Sequence, residues 1–318
     1  MLMAPDVLSF EGNYDECLGF LYDYRWRRFV HNETGRGRPR MLVLDLSRVR
    51  QMYLDAALVL VAEYHRSNLS QPDFRPVIDD ATWPSGVRKS LDMLGFYELV
   101  EATATTADNT DFTPLTAKFL PFVSDDTVDG RKLDPIIERM KEIAGRTPKR
   151  VAIYGALMEA VANAKGHAYP DDMPRRVEPI VRHRWWAAGA YFPETHTLEY
   201  AVLDQGVGIA ETLPKKALWE VISRVCPPEF DDGDVIVGGI KYGRTSTGRA
   251  ERGNGLWKIC KLVRDVPNSS VRIVSGRGEV TYFGRGKPIK KVNANPFYGT
   301  LIHWTLSLPS EQPEGLLT

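Results

Sequence analysis

Glu159 and Asn163 stand four positions apart in VAIYGALMEAVANAKGHAYP, so on a helix they project from one face, one turn apart. A carboxylate and a carboxamide stacked in this way can hold a water and a hard cation side by side. Glu159 could orient or deprotonate a nucleophile. Asn163 offers one neutral carbonyl oxygen, and Mg2+ takes few protein ligands besides waters and phosphate oxygens. Asp204 ends the apolar run LEYAVLD and leads into Gly206, Gly208 and Ile209. A carboxylate at a strand end is an acceptor for the exocyclic amine of a base in a dry pocket. Gly253, Asn254, Gly255 and Leu256 open an apolar helix, where glycine lets a ligand approach the backbone and free N–H groups can face an anion. Gly299 and Thr300 head the strand-like run GTLIHWTLSLP.

These residues require particular elements to hold them. Ile153, Tyr154, Leu157, Met158 and Val161 form an amphipathic stripe, which predicts a helix over 151–165 docked on a sheet, with Glu159 and Asn163 turned away from it. Strands are expected over 183–192 and 198–203, joined by a turn at 193–197. The pair Trp185–Trp186 blurs the alternation of the first strand, and one of the two is expected on the packed face. Residues 131–144 read as a further helix. The glycine-rich stretch 238–255 reads as a long mobile segment that ends directly at a helix. Neither GxxxxGK[ST] nor GxGxxG is present; the late GRGK at 284–287 lacks the first glycine at the right spacing and the Ser/Thr.

Taken in order, Glu159/Asn163, Asp204/Gly206/Gly208, Gly253/Gly255/Leu256 and Gly299/Thr300 resemble the N box, G1 box, G2 box and late Gly-Thr of the GHKL ATPase superfamily. That superfamily includes DNA gyrase B, the large heat-shock chaperone, histidine kinases, MutL and the anti-sigma serine kinases. The resemblance covers roughly the last 180 residues, and EAVANAKGHAY is most similar to the anti-sigma serine kinases. It implies a Bergerat α/β sandwich with helices packed on one face of a mixed sheet, and ATP with Mg2+ as ligands. It also implies Asp204 on the adenine amine with Thr300 in support, Asn163 on the metal, Glu159 beside the terminal phosphate, and Gly253 to Leu256 on the phosphates. Lys241, Arg244, Thr245, Thr247 and Arg252 are candidate helpers in the lid, and His167 is either structural or part of the site.

The first 105 residues read as an α/β domain: an apolar strand at 41–46, a helix at 53–65, a strand at 74–78 and a helix at 85–95 ended by glycine. Leu44-Asp45-Leu46-Ser47 and the later LGFYELV resemble the STAS domain of anti-anti-sigma factors. Asp55 stands where that family has its aspartate, but Ala56 and Ala57 occupy the positions of its phosphorylated serine. The usual switch is therefore in doubt, and the domain is expected to dock or dimerise. Residues 106–130 read as a linker, 131–310 as the GHKL domain and 311–318 as a tail.

Lys+Arg and Asp+Glu balance at 41 each, so no global field draws the chain toward nucleic acid or anionic membrane. No apolar run reaches the ~18 residues of a membrane span, and the N-terminus lacks a secretory signal. Three scattered cysteines fit free thiols, and the location expected is cytoplasmic. The chain ends soon after the last expected strand, which disfavours the gyrase, MutL and chaperone readings, and His65 lacks the surroundings of a histidine-kinase phosphoacceptor. The expectation is an ATP-binding regulatory protein in which Mg-ATP binding or slow hydrolysis switches a protein interface. The alternative is an anti-sigma-type serine/threonine kinase acting on a partner STAS domain. The partner classes are a STAS-domain or sigma-factor-like regulator and a second copy of the chain.

Overall fold

WWAAGAYF is apolar throughout and TLEYAVLD carries apolar residues on both faces from Tyr200 to Leu203, since side chains along a strand point alternately to opposite faces. Two adjacent strands of this kind need cover on both sides. The computed structural model supplies it; it describes residues 1–30, 42–71, 77–105, 117–173, 181–215, 219–224, 226–245 and 254–308.

The N-terminal part contains the short strands β1 (Leu2–Met3), β2 (Val7–Leu8), β3 (Leu44–Asp45) and β4 (Gln51–Met52), paired β1 with β3 and β2 with β4, both parallel. Its helices are α1 (Tyr14–Arg25), α2 (Leu54–Ser70), α3 (Ser85–Leu94) and α4 (Phe96–Leu99). Gly95 adopts the left-handed conformation that ends α3, as expected for a glycine cap. The strand expected at 41–46 is confined to Leu44–Asp45, and 77–78 is not strand; 72–76 lie outside the described residues.

The main sheet runs β5 (Lys118–Phe119), β7 (Trp185–Phe192), β8 (Thr197–Asp204), β10 (Ile289–Ser307), β9 (Ser270–Tyr282), with β6 (Val123–Asp125) also pairing β7. Every described pairing in it is antiparallel, where a mixed sheet was expected. Two of these pairings follow from the connections, since β7–β8 and β9–β10 are joined by turns too short for a parallel crossover. Both β5 and β6 fall in the stretch read as a linker.

Alternation assigns each residue a side. Trp185, Leu198, Tyr200, Val202, Ile273, Ile302 and Trp304 join a core with α5 (Asp134–Ala144), α6 (Arg150–His167) and α10 (Gly255–Asp265). Trp186, Ala188, Ala201, Leu203, Val274, Phe297 and Leu301 join the core of the N-terminal helices. Helices therefore cover both faces of the sheet, rather than one. Both tryptophans are buried for that reason, where one was expected to be. Gly189 sits mid-strand where a Cβ would meet Met140 Cε at 2.7 Å, so α5 can lie close to β7.

Between β8 and α10 lie α7 (Ile209–Thr212), α8 (Trp219–Ser223) and α9 (Asp232–Thr245). The last of these corrects the reading of a mobile segment over 238–245, which are helical; 246–253 lie outside the described residues. Asp231 Oδ1 accepts the Asp234 N–H at 3.0 Å and caps the helix. Its glycines serve packing: a Cβ on Gly239 would meet Leu256 Cδ1 at 2.7 Å, and one on Gly243 would meet Trp257 Cβ at 2.6 Å. Without side chains at those positions, α9 lies directly against α10.

Candidate functional site

Asp204, Ser275 and Thr300 share the α6 side of the sheet by alternation. Asp204 and Thr300 are opposed in register across β8 and β10. The Asp204 carboxylate accepts the Gly206 N–H at 2.9 Å, and the backbone and hydroxyl of Thr300 beside it favour its charged form. It is only 7 % exposed, and burial pushes its carboxyl up to about 6 even though Gly206 and Thr300 pull the other way. A carboxylate held dry by its own neighbours is a strong acceptor for a further N–H donor.

The backbone around it is built for close approach. A Cβ on Gly206 would lie 2.1 Å from the carbonyl oxygen of Ala168, the residue at the exit of α6, and the Val207 N–H donates to that same oxygen at 2.9 Å. Gly299 has φ +111°, and a Cβ there would stand 2.0 Å from the Asp204 carbonyl oxygen. Register shifts in the β9–β10 ladder between Val292 and Thr300 mark a bulge, which re-aims Gly299 and Thr300 toward β8. Ser275 on β9 ties the pieces together. Its Oγ accepts the Ile209 N–H at 2.8 Å, donates to the Gly299 carbonyl oxygen at 2.9 Å and lies 3.3 Å from Thr300 Oγ1. No sequence motif marks Ser275; only the strand register reveals it.

Glu159 and Asn163 lie on α6 as its spacing predicts, both half-buried, and face the N-terminus of α10. A Cβ on Gly255 would be 2.8 Å from Glu159 Oε1 and 3.0 Å from both side-chain heteroatoms of Asn163. Only a glycine admits that contact without displacing the pair. Lys258, one turn into α10, donates from Nζ to Glu159 Oε2 at 3.1 Å. Asn254 occupies the N-cap position of α10, and Leu256 packs on α9 at Gly239. Ile209 begins α7 and packs on the α6-side core. The structure thus brings together Glu159, Asn163 and Gly255 at one place, and Asp204, Gly206, Gly208, Ile209 and Thr300 at another, with Ala168 at the end of α6 joining the two.

Gly253, Thr247 and Arg252 lie outside the described residues. Lys241 is exposed on α9, whose last turn holds Arg244 and Thr245. His167 is exposed at the end of α6. Behind the site, Gln205 points to the other face of the sheet, where its Nε2 donates to Glu63 Oε1 at 2.7 Å. Its backbone N–H donates to the Tyr169 hydroxyl at 3.0 Å.

At the STAS-like positions, Asp55 is buried, accepts the Phe10 N–H at 3.1 Å and is ion-paired with Arg272 of β9. Ala56 and Ala57 are buried beside it. This segment is turned inward against the sheet. Among the described residues no helix is long and apolar enough to cross a membrane. No protein-family model matches the chain, and no curated protein matches it.

Proposed function

We propose that the chain binds ATP with Mg2+ at this site, and that binding or slow hydrolysis switches a protein interface. The observation that carries this reading is a dry carboxylate at the end of β8, reached from the exit of the same helix α6 that carries a carboxylate–carboxamide pair beneath a glycine-opened helix N-terminus. Asp204 suits an exocyclic amine: it is a buried acceptor at the end of β8. The first N–H groups of α10 suit phosphate oxygens, because a helix start offers unpaired donors and a favourable dipole.

The residues also fit a hard cation. Asn163 contributes one carbonyl oxygen and Glu159 lies one turn away, a sparse oxygen set of the kind Mg2+ accepts when phosphate supplies other ligands. Bound there, the ion would screen phosphate charge. Glu159 would orient a water and take its proton as the water oxygen attacks the terminal phosphorus and the bond to the leaving diphosphate oxygen breaks. Transfer to a protein hydroxyl, the other reading of the same site, would use an acceptor other than positions 56 and 57, which are buried alanines.

Phosphate release from Mg-ATP by the purified protein, beside Glu159→Ala, tests the role of Glu159. We expect slow release in the parent and a loss of roughly 100-fold or more in the variant, with nucleotide still bound. Equal rates in the two proteins would remove Glu159 from the chemistry.

A further inference from the structure

We infer that Lys258 reads the terminal phosphate: it neutralises Glu159 while the site holds no triphosphate and shifts donors to the terminal phosphate when one enters. The inference rests on the nucleotide reading above and adds to it the residue that tells triphosphate from diphosphate. Lys258 Nζ lies 3.1 Å from Glu159 Oε2, so among the described residues the cation paired with the proposed base comes from the helix whose N-terminus would receive the phosphates. That helix is held over α6 by the glycine contact at Gly255, which fixes Lys258 one turn behind the first free N–H groups.

The chemistry follows from charge. A carboxylate facing an incoming polyanion repels it unless a cation stands between them. An ammonium has three donors and no fixed fork, so it can keep one on Glu159 and turn others toward phosphate oxygens. The Lys258 side chain is 52 % exposed and that of Glu159 22 %, so the pair is weak enough in water to be exchanged rather than locked. A diphosphate stops one phosphoryl group short of this pair. Lys258 is therefore expected to matter for ATP and not for ADP.

The test is titration of the full chain with Mg-ATP and with Mg-ADP, for the parent, Lys258→Met, Lys258→Arg, Glu159→Gln and the double variant Glu159→Gln with Lys258→Met. We expect Lys258→Met to weaken ATP at least tenfold and ADP less than twofold, Lys258→Arg to restore much of the ATP affinity, and the ATP loss to shrink in the Glu159→Gln background. ATP and ADP weakened equally, or neither weakened, would overturn the role of Lys258 while leaving the nucleotide reading intact. Failure of the parent to bind either nucleotide would remove both.

Discussion

Asp204 is ionised at neutral pH only by keeping a charge in a dry place. Its carboxyl is raised from its ordinary value to about 6 by burial, so between about pH 4 and pH 6 the folded chain holds a proton that the unfolded chain has lost. Stability contributed by this group therefore falls as pH rises through that window. Above it the penalty levels off at about 3 kcal/mol, from roughly two pH units at about 1.4 kcal/mol each. Asp204→Asn keeps the shape without the charge. It should unfold at higher urea than the parent at pH 7.5, and the gain should vanish near pH 4. A variant that is destabilised at pH 7.5, or stabilised equally at both pH values, would contradict this account of the site. On the proposed reading, the same residue trades stability for an acceptor.

Among the elements, α6 and β8 were legible for different reasons: Ile153, Leu157 and Val161 form a buried stripe at helical spacing, and the short apolar run in TLEYAVLD bounded by turn residues is strand throughout. Helix α9 was not, because its glycines read as flexibility, whereas Gly239 and Gly243 stand four apart and seat α10 against it. The capping Asp231 was the signal that could have found it. Nor could a sequence place Gln205, whose meaning depends on which side of β8 it emerges. There it meets Glu63, a fully buried carboxylate also bound by Arg25 and Arg66. Burial pushes the Glu63 carboxyl up, but Arg25 and Arg66 pull it further down and hold it below the usual range. Its contribution is present at neutral pH and is lost as pH falls. Glu63→Ala removes the carboxylate from between two buried guanidiniums and should destabilise by roughly 3–5 kcal/mol. The urea midpoint reads this directly; a change under ~1 kcal/mol would show that the cluster does not anchor the Asp204 turn.

At the scale of the whole molecule, the N-terminal part is the second cover of the sheet. The segment around Asp55 packs on the sheet of its own chain, through Arg272 and the apolar contacts of Trp186, Leu203, Val274, Phe297 and Leu301. Such long-range packing leaves only one trace in sequence, strands that are apolar on both faces, and WWAAGAYF shows it. Uncovering those five side chains forfeits about 1.5–3 kcal/mol each, on the order of 10 kcal/mol in total, which matches the whole stability of a typical domain. Residues 117–318 expressed alone should therefore aggregate or bind a hydrophobic dye without cooperative unfolding. A soluble fragment with a sharp thermal transition would show that the sheet does not depend on its N-terminal cover.

The central claim is that Asp204 receives the amine of an adenine base, and equilibrium binding of Mg-ATP by the parent and by Asp204→Asn tests it most directly. The account predicts measurable binding by the parent, at least a tenfold loss in the variant, and a variant that is folded and at least as stable at pH 7.5. ATP bound equally by both proteins, or by neither, would contradict it.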